Sequence, residues 1–274
     1  MSNDAFKNQK DFYNKGYEKL DMLSKGFPDL KIVDGQSNVE NLKIISIGGG
    51  NAADVWYLAK NNKIILMDSS EVAADQAKVN NIQVIVSDIN NKLPFDNDEF
   101  DVVILKDILE HVYSPLEVLM EAKRIVKKTG YIIISLPNHF YLPFRLRILF
   151  GGNLIWKSFL HNHKKDFDEW NYMHIRFFTW KGVKKLLQLA GLKIVKEYWD
   201  FGTLAHYTDP MMYEYAFKLN NKKISSKRQW IFYKIFLPFY KVFNFIFPKK
   251  IRNFVVSFFP GILCAGFYLR VAKD

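Results

Sequence analysis

The sequence predicts an α/β fold: a doubly wound sheet of seven parallel strands, with insertions after strands five and six. Three observations predict it. Continuous apolar runs such as KIISI, KIILMD and YIIISLPN recur along the chain, and runs of this kind mark strands buried on both faces. These runs alternate with helical stretches, which makes neighbouring strands parallel. The first run passes directly into Gly48, Gly49 and Gly50, a bare strand-to-helix turn at an edge where such sheets bind ligands.

Each element has its own signal. Residues 1–40 read as an N-terminal segment of one or two polar helices, with Phe12, Tyr13 and Tyr17 as its notable aromatics. KIISI (43–47) is a strand, and NAADVWYLAK opens a helix. KIILMD (63–68), IQVIVSD (82–88) and FDVVILK (100–106) are the next three strands, with a short helix at 75–80. SPLEVLMEAKRIVKK (114–128) is a helix with Pro115 in its first turn, and YIIISLPN (131–138) is the fifth strand. TWKGVKKLLQLAG (179–191) is a helix ending at Gly191. LKIVKEYWD (192–200) and CAGFYLRVAKD supply the last two strands. The organisation is one domain over 41–274, with insertions at 138–178 and 201–262 that cap the active face.

Composition narrows the class. Hydrophobic residues make up 49% of the 274, enough for one substantial core. The single cysteine, Cys264, excludes an intrachain disulfide and a cysteine-based zinc site. The N-terminus is polar throughout and lacks a secretory signal, so the expected compartment is the cytoplasm. The net charge of +11 is unevenly placed. Between Tyr215 and Lys273 there are twelve Lys and Arg and no acid, so the whole excess belongs to the C-terminal quarter. Such asymmetry points to an anionic partner.

The chemistry gathers at the strand ends. Gly48, Gly50 and Ala53 satisfy a permissive dinucleotide pattern, and a tight turn with no ligand satisfies it equally. Asp68 ends the second strand, where an acid accepts hydrogen bonds from both ribose hydroxyls. Asp88 ends the third, where an acid can meet an adenine amino group; helix capping is the alternative for either acid.

The succession IISIGGGNA, IILMD, VSDINNKLPFDNDEFDVVILKDILEHV and EAKRIVKKTGYIIISLPN resembles the class I S-adenosylmethionine-dependent methyltransferases, in the bacterial branch acting on small molecules and glycans. The resemblance covers residues 40–200, and HIRFFTWKGVKKLLQLAGLKIV extends it. It implies a Rossmann-like methyltransferase sheet and S-adenosyl-L-methionine as cofactor. By the same resemblance, Gly48, Gly49 and Gly50 face the methionine part, Asp68 and Ser69 the ribose, and Asp88 and Ile89 the adenine. Lys106 lends backbone near the sulfonium. Tyr13 and Tyr17 close over the cofactor, or else pack in the core. Two positions depart from the family: Ser46 stands where an acid is usual, and Ala52 where a third glycine is usual.

Methyl transfer from a sulfonium needs a positioned nucleophile and, for a hydroxyl, a base. His111, in DILEHV, lies just past the fourth strand and is the leading candidate base; a role in stabilising the loop, with Glu110, is the alternative. His139, His174 and Arg176 are candidate acceptor contacts. His161, His163, Asp166 and Asp168 could ligate a metal, but loop residues of these types more often meet solvent or substrate, and no metal is expected.

The aromatic run 230–247 is too interrupted by Lys234, Pro238 and Lys241 to span a membrane. Residues 222–254 therefore read as a hydrophobic cap, a homodimer face or a peripheral contact at the inner face of the plasma membrane. Nucleic acid is not an expected partner. The expected acceptor is a small molecule or a nucleotide- or lipid-linked glycan precursor in capsule or lipopolysaccharide assembly, methylated on a sugar hydroxyl or a phosphoramidate. A degenerate, membrane-tethered Rossmann domain and a nicotinamide oxidoreductase are the other readings.

Overall fold

A computed structural model describes residues 10, 11, 14, 30–34, 39–78, 82–151, 174–198, 246 and 248–274. Seven strands form one sheet in the order β3-β2-β1-β4-β5-β7-β6. They are β1 Lys43–Ile47, β2 Lys63–Asp68, β3 Gln83–Val86, β4 Phe100–Lys106, β5 Val126–Pro137, β6 Leu192–Glu197 and β7 Gly266–Lys273. The helices are α1 Glu71–Lys78, α2 Pro115–Ile125, α3 Leu142–Leu149, α4 Trp180–Leu189, α5 Lys249–Phe258 and α6 Pro260–Leu263.

The first five strands are parallel, and the strand order reverses direction at β1 and β4. That reversal puts a crevice at the carboxyl edge. The all-parallel expectation is corrected at β7, which runs antiparallel to both β5 and β6. Its first residue, Gly266, pairs with Pro137 at the end of β5. The chain thus leaves β6 and enters β7 at one edge, so no crossover is needed.

Residues of β1 alternate between two cores. Ile45 and Ile47 join one with Leu105, Leu119 and Val183; Ile44 joins the other with Leu66, Val102 and Ile133. Burial on both faces is why the strands read as unbroken apolar runs.

Five elements differ from expectation. The helix expected after β1 is reduced to turns and a 3₁₀ helix, Trp56–Leu58, because Ala52 takes φ +63° and breaks the right-handed path. Helix α1 begins at Glu71 rather than 75, because the Ser70 hydroxyl accepts from the Ala73 N–H at 3.1 Å and caps it. Helix α2 stops at Ile125, and β5 starts at once. There Gly130 passes so close to β4 that a Cβ would lie 2.6 Å from the Asp101 carbonyl. Strand β3 ends at Val86, two residues early.

Helix ends follow their sequence signals. Ser114 and Thr179 cap α2 and α4 by accepting from Glu117 and Gly182 N–H. Gly191, at φ +64°, ends the turn after α4. The expected helices of 1–40 lie outside the described residues except at 10, 11 and 14, which are helical, and at the 3₁₀ turn Leu30–Val33. Residues 152–173 and 201–245, within the two expected insertions, also lie outside them.

Asn138 ties the carboxyl edge together. Its buried amide donates to the Cys264 carbonyl at 2.7 Å and the Gly261 carbonyl at 3.1 Å, and its side-chain oxygen accepts from Phe140 N–H at 3.0 Å. Asn138→Ala is expected to lower stability by about 2–4 kcal/mol, since it leaves buried backbone groups without partners. Urea unfolding monitored by circular dichroism checks this, and an unshifted midpoint contradicts it.

Candidate active site

The glycine turn is bare for two physical reasons. Gly48 and Gly50 take φ +66° and +57°, in the left-handed region. In addition, a Cβ on Gly48 would lie 2.5 Å from Ile108 Cδ1, and one on Gly49 would lie 2.3 Å from Ser46 Oγ. The turn is both left-handed and pressed against its neighbours.

The carboxylate of Asp68 holds that turn to the end of β2. It accepts from Gly50 N–H at 2.8 Å on one oxygen and from Ser70 N–H at 2.8 Å on the other. Burial pushes its pKa up, and the backbone N–H groups of Ser70, Gly50 and Ser69 pull it back. A carboxylate has about four lone-pair sites, so the backbone donors here leave room for a further donor. A vicinal diol such as the cofactor's ribose supplies one, so the residues present fit the group.

Strand register brings the other predicted ends alongside. Ile47 pairs with Met67 and with Leu105, and Asp68 pairs with Val86. Asp88 lies two residues past β3, where it accepts from both the N–H and the side-chain amide of Asn90, at 2.9 and 2.7 Å. Ile89 packs against the core. Lys106, closing β4, pairs with Asp54 at 2.9 Å and so links the glycine turn to β4. Tyr13 and Tyr17 lie outside the described residues. Their neighbour Asn14 accepts from the buried Ser70 hydroxyl at 2.7 Å, and Lys10 pairs with Glu71, so these two residues sit at the head of α1, next to Asp68 in sequence.

A second group of side chains gathers past β4. The loop 107–111 leans on the glycine turn through Ile108. Asp107 holds φ +50° and accepts from the Ser135 hydroxyl at 2.6 Å. Glu110, only 1% exposed, has Oε1 4.0 Å from His111 Nε2 and 3.9 Å from His174 Nε2. Its Oε2 is buried with no hydrogen-bond partner among the described residues. Burial, reinforced by the Asp107 charge, pushes the Glu110 pKa up to about 8. His139 Nε2 and His174 Nδ1 share a hydrogen bond of 3.0 Å. Burial, with His111 nearby, lowers these two imidazoles to about 4 and about 3. At neutral pH both are uncharged, and Glu110 is largely protonated.

The Glu110 carbonyl also accepts from Ile175 and Arg176 N–H, at 2.9 and 3.1 Å, which fixes His174 above it. His111, His139 and His174 thus converge as a set. Arg176 is exposed and donates to the Tyr113 and Ile175 carbonyls. Sequence reasoning missed Asn14, Asp54 and Ser70, and it gave Glu110 only a loop role although Glu110 is the centre of the cluster. Burial of a lone acid is not written in its neighbours; the Glu-His dipeptide was the one available signal. His161, His163, Asp166 and Asp168 lie outside the described residues. A shallow cleft along Lys92, Leu93, Pro94, Phe95, Asp96 and Glu99 opens where β4 begins, at the opposite edge, and holds none of these groups.

The comparisons with known proteins agree with this geometry. Residues 38–191, more than half of the chain, match the model of a methyltransferase domain family. A ubiquinone biosynthesis O-methyltransferase of Pelagibacter ubique is 27% identical over 115 residues, covering 40% of this chain and 48% of its own. The mitochondrial ubiquinone biosynthesis O-methyltransferase of Dictyostelium discoideum is 37% identical over 138 residues, covering 43% and 42%. The chain thus spans less than half the length of these two curated relatives. In fold it resembles phosphoethanolamine N-methyltransferase 2 of Haemonchus contortus, solved with S-adenosyl-L-methionine, at a TM-score of 0.53 and 12% identity, covering 89% of this chain and 52% of that one. With the bare turn, the strand-end acids and a family match over most of the sheet, the chain belongs to the S-adenosylmethionine-dependent methyltransferases.

Proposed function

We propose that the protein methylates an oxygen of a polar, phosphorylated small molecule or glycan precursor, a step suited to capsule or lipopolysaccharide assembly. The observation that carries this reading is the cluster of Glu110, His111, His139 and His174 beside the glycine turn. S-adenosylmethionine, when bound, supplies a methyl group already activated on a sulfonium. Gly48–Gly50, Asp68 and Ser69, Asp88 and Ile89, and Lys106 would hold it, in the roles that the resemblance implies.

What remains for the chain is to place a nucleophile in line and accommodate the loss of its proton. An amine can react once neutral, and needs little help. A hydroxyl has to be oriented as well as deprotonated, and His139 and His174, kept uncharged by burial, suit the orienting role. The N–H and lone pair of each neutral ring can donate to and accept from a sugar hydroxyl. The ubiquinone relatives are O-methyltransferases, which favours oxygen over nitrogen.

Phosphate on the acceptor is favoured by the acid-free, basic C-terminal quarter. Helix α5, in that quarter, joins α6 and β7 at the same carboxyl edge. A lipid-linked form is favoured by the exposed apolar residues Leu149 and Phe150 after β5 and Phe254, Phe258 and Phe259 before β7. No helix among the described residues is long and apolar enough to cross a membrane.

Two experiments test the reading. The protein is incubated with S-adenosylmethionine labelled in its methyl group and with nucleotide-linked sugars, lipid-linked sugars and simple amines. Label is expected in an alkali-stable ether on a sugar; transfer to amines alone overturns the oxygen assignment. Asp68→Ala is expected to weaken cofactor binding in isothermal titration by about 1.5–3 kcal/mol, or about 10- to 150-fold. An unchanged dissociation constant in the folded variant removes Asp68 from the ribose.

A further inference from the structure

We propose that Glu110, His111 and His174 form a binding site for a divalent transition-metal ion of the zinc class, and that this ion is what activates the acceptor oxygen. The ion's binding stands on these residues alone. Its part in catalysis rests on the methyl-transfer reading above.

The three side chains offer one carboxylate oxygen and two imidazole nitrogens, all within 4.8 Å of one another. Two His and one Glu form a familiar ligand set for zinc, and with open positions also for iron(II). Bonds of about 2.1 Å in a tetrahedral shell space the ligands by about 3.4 Å. Two of the separations here are 3.9 and 4.0 Å, so the groups need only draw inward modestly. Those distances are too long for hydrogen bonds, so Glu110 Oε1 faces both imidazoles without a hydrogen bond to either.

Two further observations point to an ion rather than to a packed structural cluster. Glu110 Oε2 is buried with no partner among the described residues, a costly arrangement for a carboxyl group unless something else satisfies it. His174 presents Nε2 to Glu110 while its Nδ1 meets His139 Nε2 at 3.0 Å. Metal-binding histidines share this pattern: one nitrogen faces the metal, and the other donates its N–H to a neighbour that fixes the ring. His139 is then a positioning residue.

Three protein ligands on a four-coordinate ion leave one position open. An acceptor hydroxyl held there sheds its proton to bulk buffer more readily. Its oxygen pair forms the new C–O bond as the C–S bond breaks, with that bond's electrons going to sulfur. The loop that carries Glu110 and His111 touches the glycine turn through Ile108, so the ion would lie beside the bound cofactor.

Cobalt(II) is the probe, titrated into chelator-stripped full-length protein. The expected result is one Co²⁺ per chain, with visible absorption bands of low coordination number and competition by Zn²⁺. Affinity should fall about 100-fold or more in Glu110→Gln and His174→Ala, and about 10- to 100-fold in His139→Gln, with S-adenosylmethionine affinity retained. Absence of bands and of stoichiometric binding in the unaltered protein overturns the proposal, whatever the variants do. Unchanged Co²⁺ affinity in Glu110→Gln and His174→Ala that melt like the parent protein overturns it too. Metal binding without any S-adenosylmethionine binding leaves the metal site standing and sinks the methyl-transfer reading instead.

Discussion

The Asp68 carboxylate is the bond on which the cofactor end of the molecule depends. One side chain at the tip of β2 accepts from Gly50 on the neighbouring turn and from Ser70 at the head of α1. It therefore fixes three segments with one charge. Ser70 in turn caps α1 and donates to the Asn14 side chain, so Asn14 is held at the same point. In the proposed cofactor site the lone-pair capacity left on the carboxylate would serve the ribose hydroxyls. A group that must stay ionised while buried needs donors, and the backbone N–H groups that lower its pKa are those that shape the turn.

The acceptor end works by the opposite physics. Nothing among the described residues neutralises Glu110, and burial drives it toward the protonated form while keeping His139 and His174 uncharged. One end of the crevice holds a carboxylate bound by hydrogen bonds; the other gathers ionisable groups, three of which, Glu110, His139 and His174, burial drives toward their uncharged forms. In the proposed reaction, an ionised cofactor and an acceptor that must lose a proton would call for two such different environments. The parallel register of β1, β2 and β4 places the two ends side by side.

The strands were legible because both faces are buried. β1, β2 and β4 match their apolar runs to the residue, and Asp68 stood out as an acid closing such a run. What was not legible came from contacts between residues distant in sequence. The direction of β7 is set by where the chain re-enters beside Pro137, which no local pattern records. The early start of β5 depends on Gly130 pressing on the β4 backbone. The importance of Glu110 depends on His174, sixty-four residues away, brought over it by two backbone hydrogen bonds. Two errors were local: the start of α1, which Ser70 sets by capping it, and the helix that failed after the glycines, where one residue's backbone angle is the cause.

That residue also bears on the two departures from the family pattern. Ala52 occupies a left-handed conformation where the family has glycine, at a cost of about 1–2 kcal/mol for a residue with a Cβ. Its methyl group is 99% buried in the core with Val55 and Leu66, and burying a methyl group contributes about 0.8 kcal/mol. Glycine would also be the more flexible residue when unfolded, by about 0.5–1 kcal/mol. The terms nearly cancel, so alanine is tolerated there at little net cost. Ser46 has a comparable partner. It is buried beneath Gly49, whose missing side chain leaves the space that the serine hydroxyl fills. A longer acid at 46 and a side chain at 49 would each crowd that space, so the small residue below and the bare one above form a matched pair. Each departure is thus balanced within the turn itself, and the carboxylate that matters most, Asp68, keeps its place.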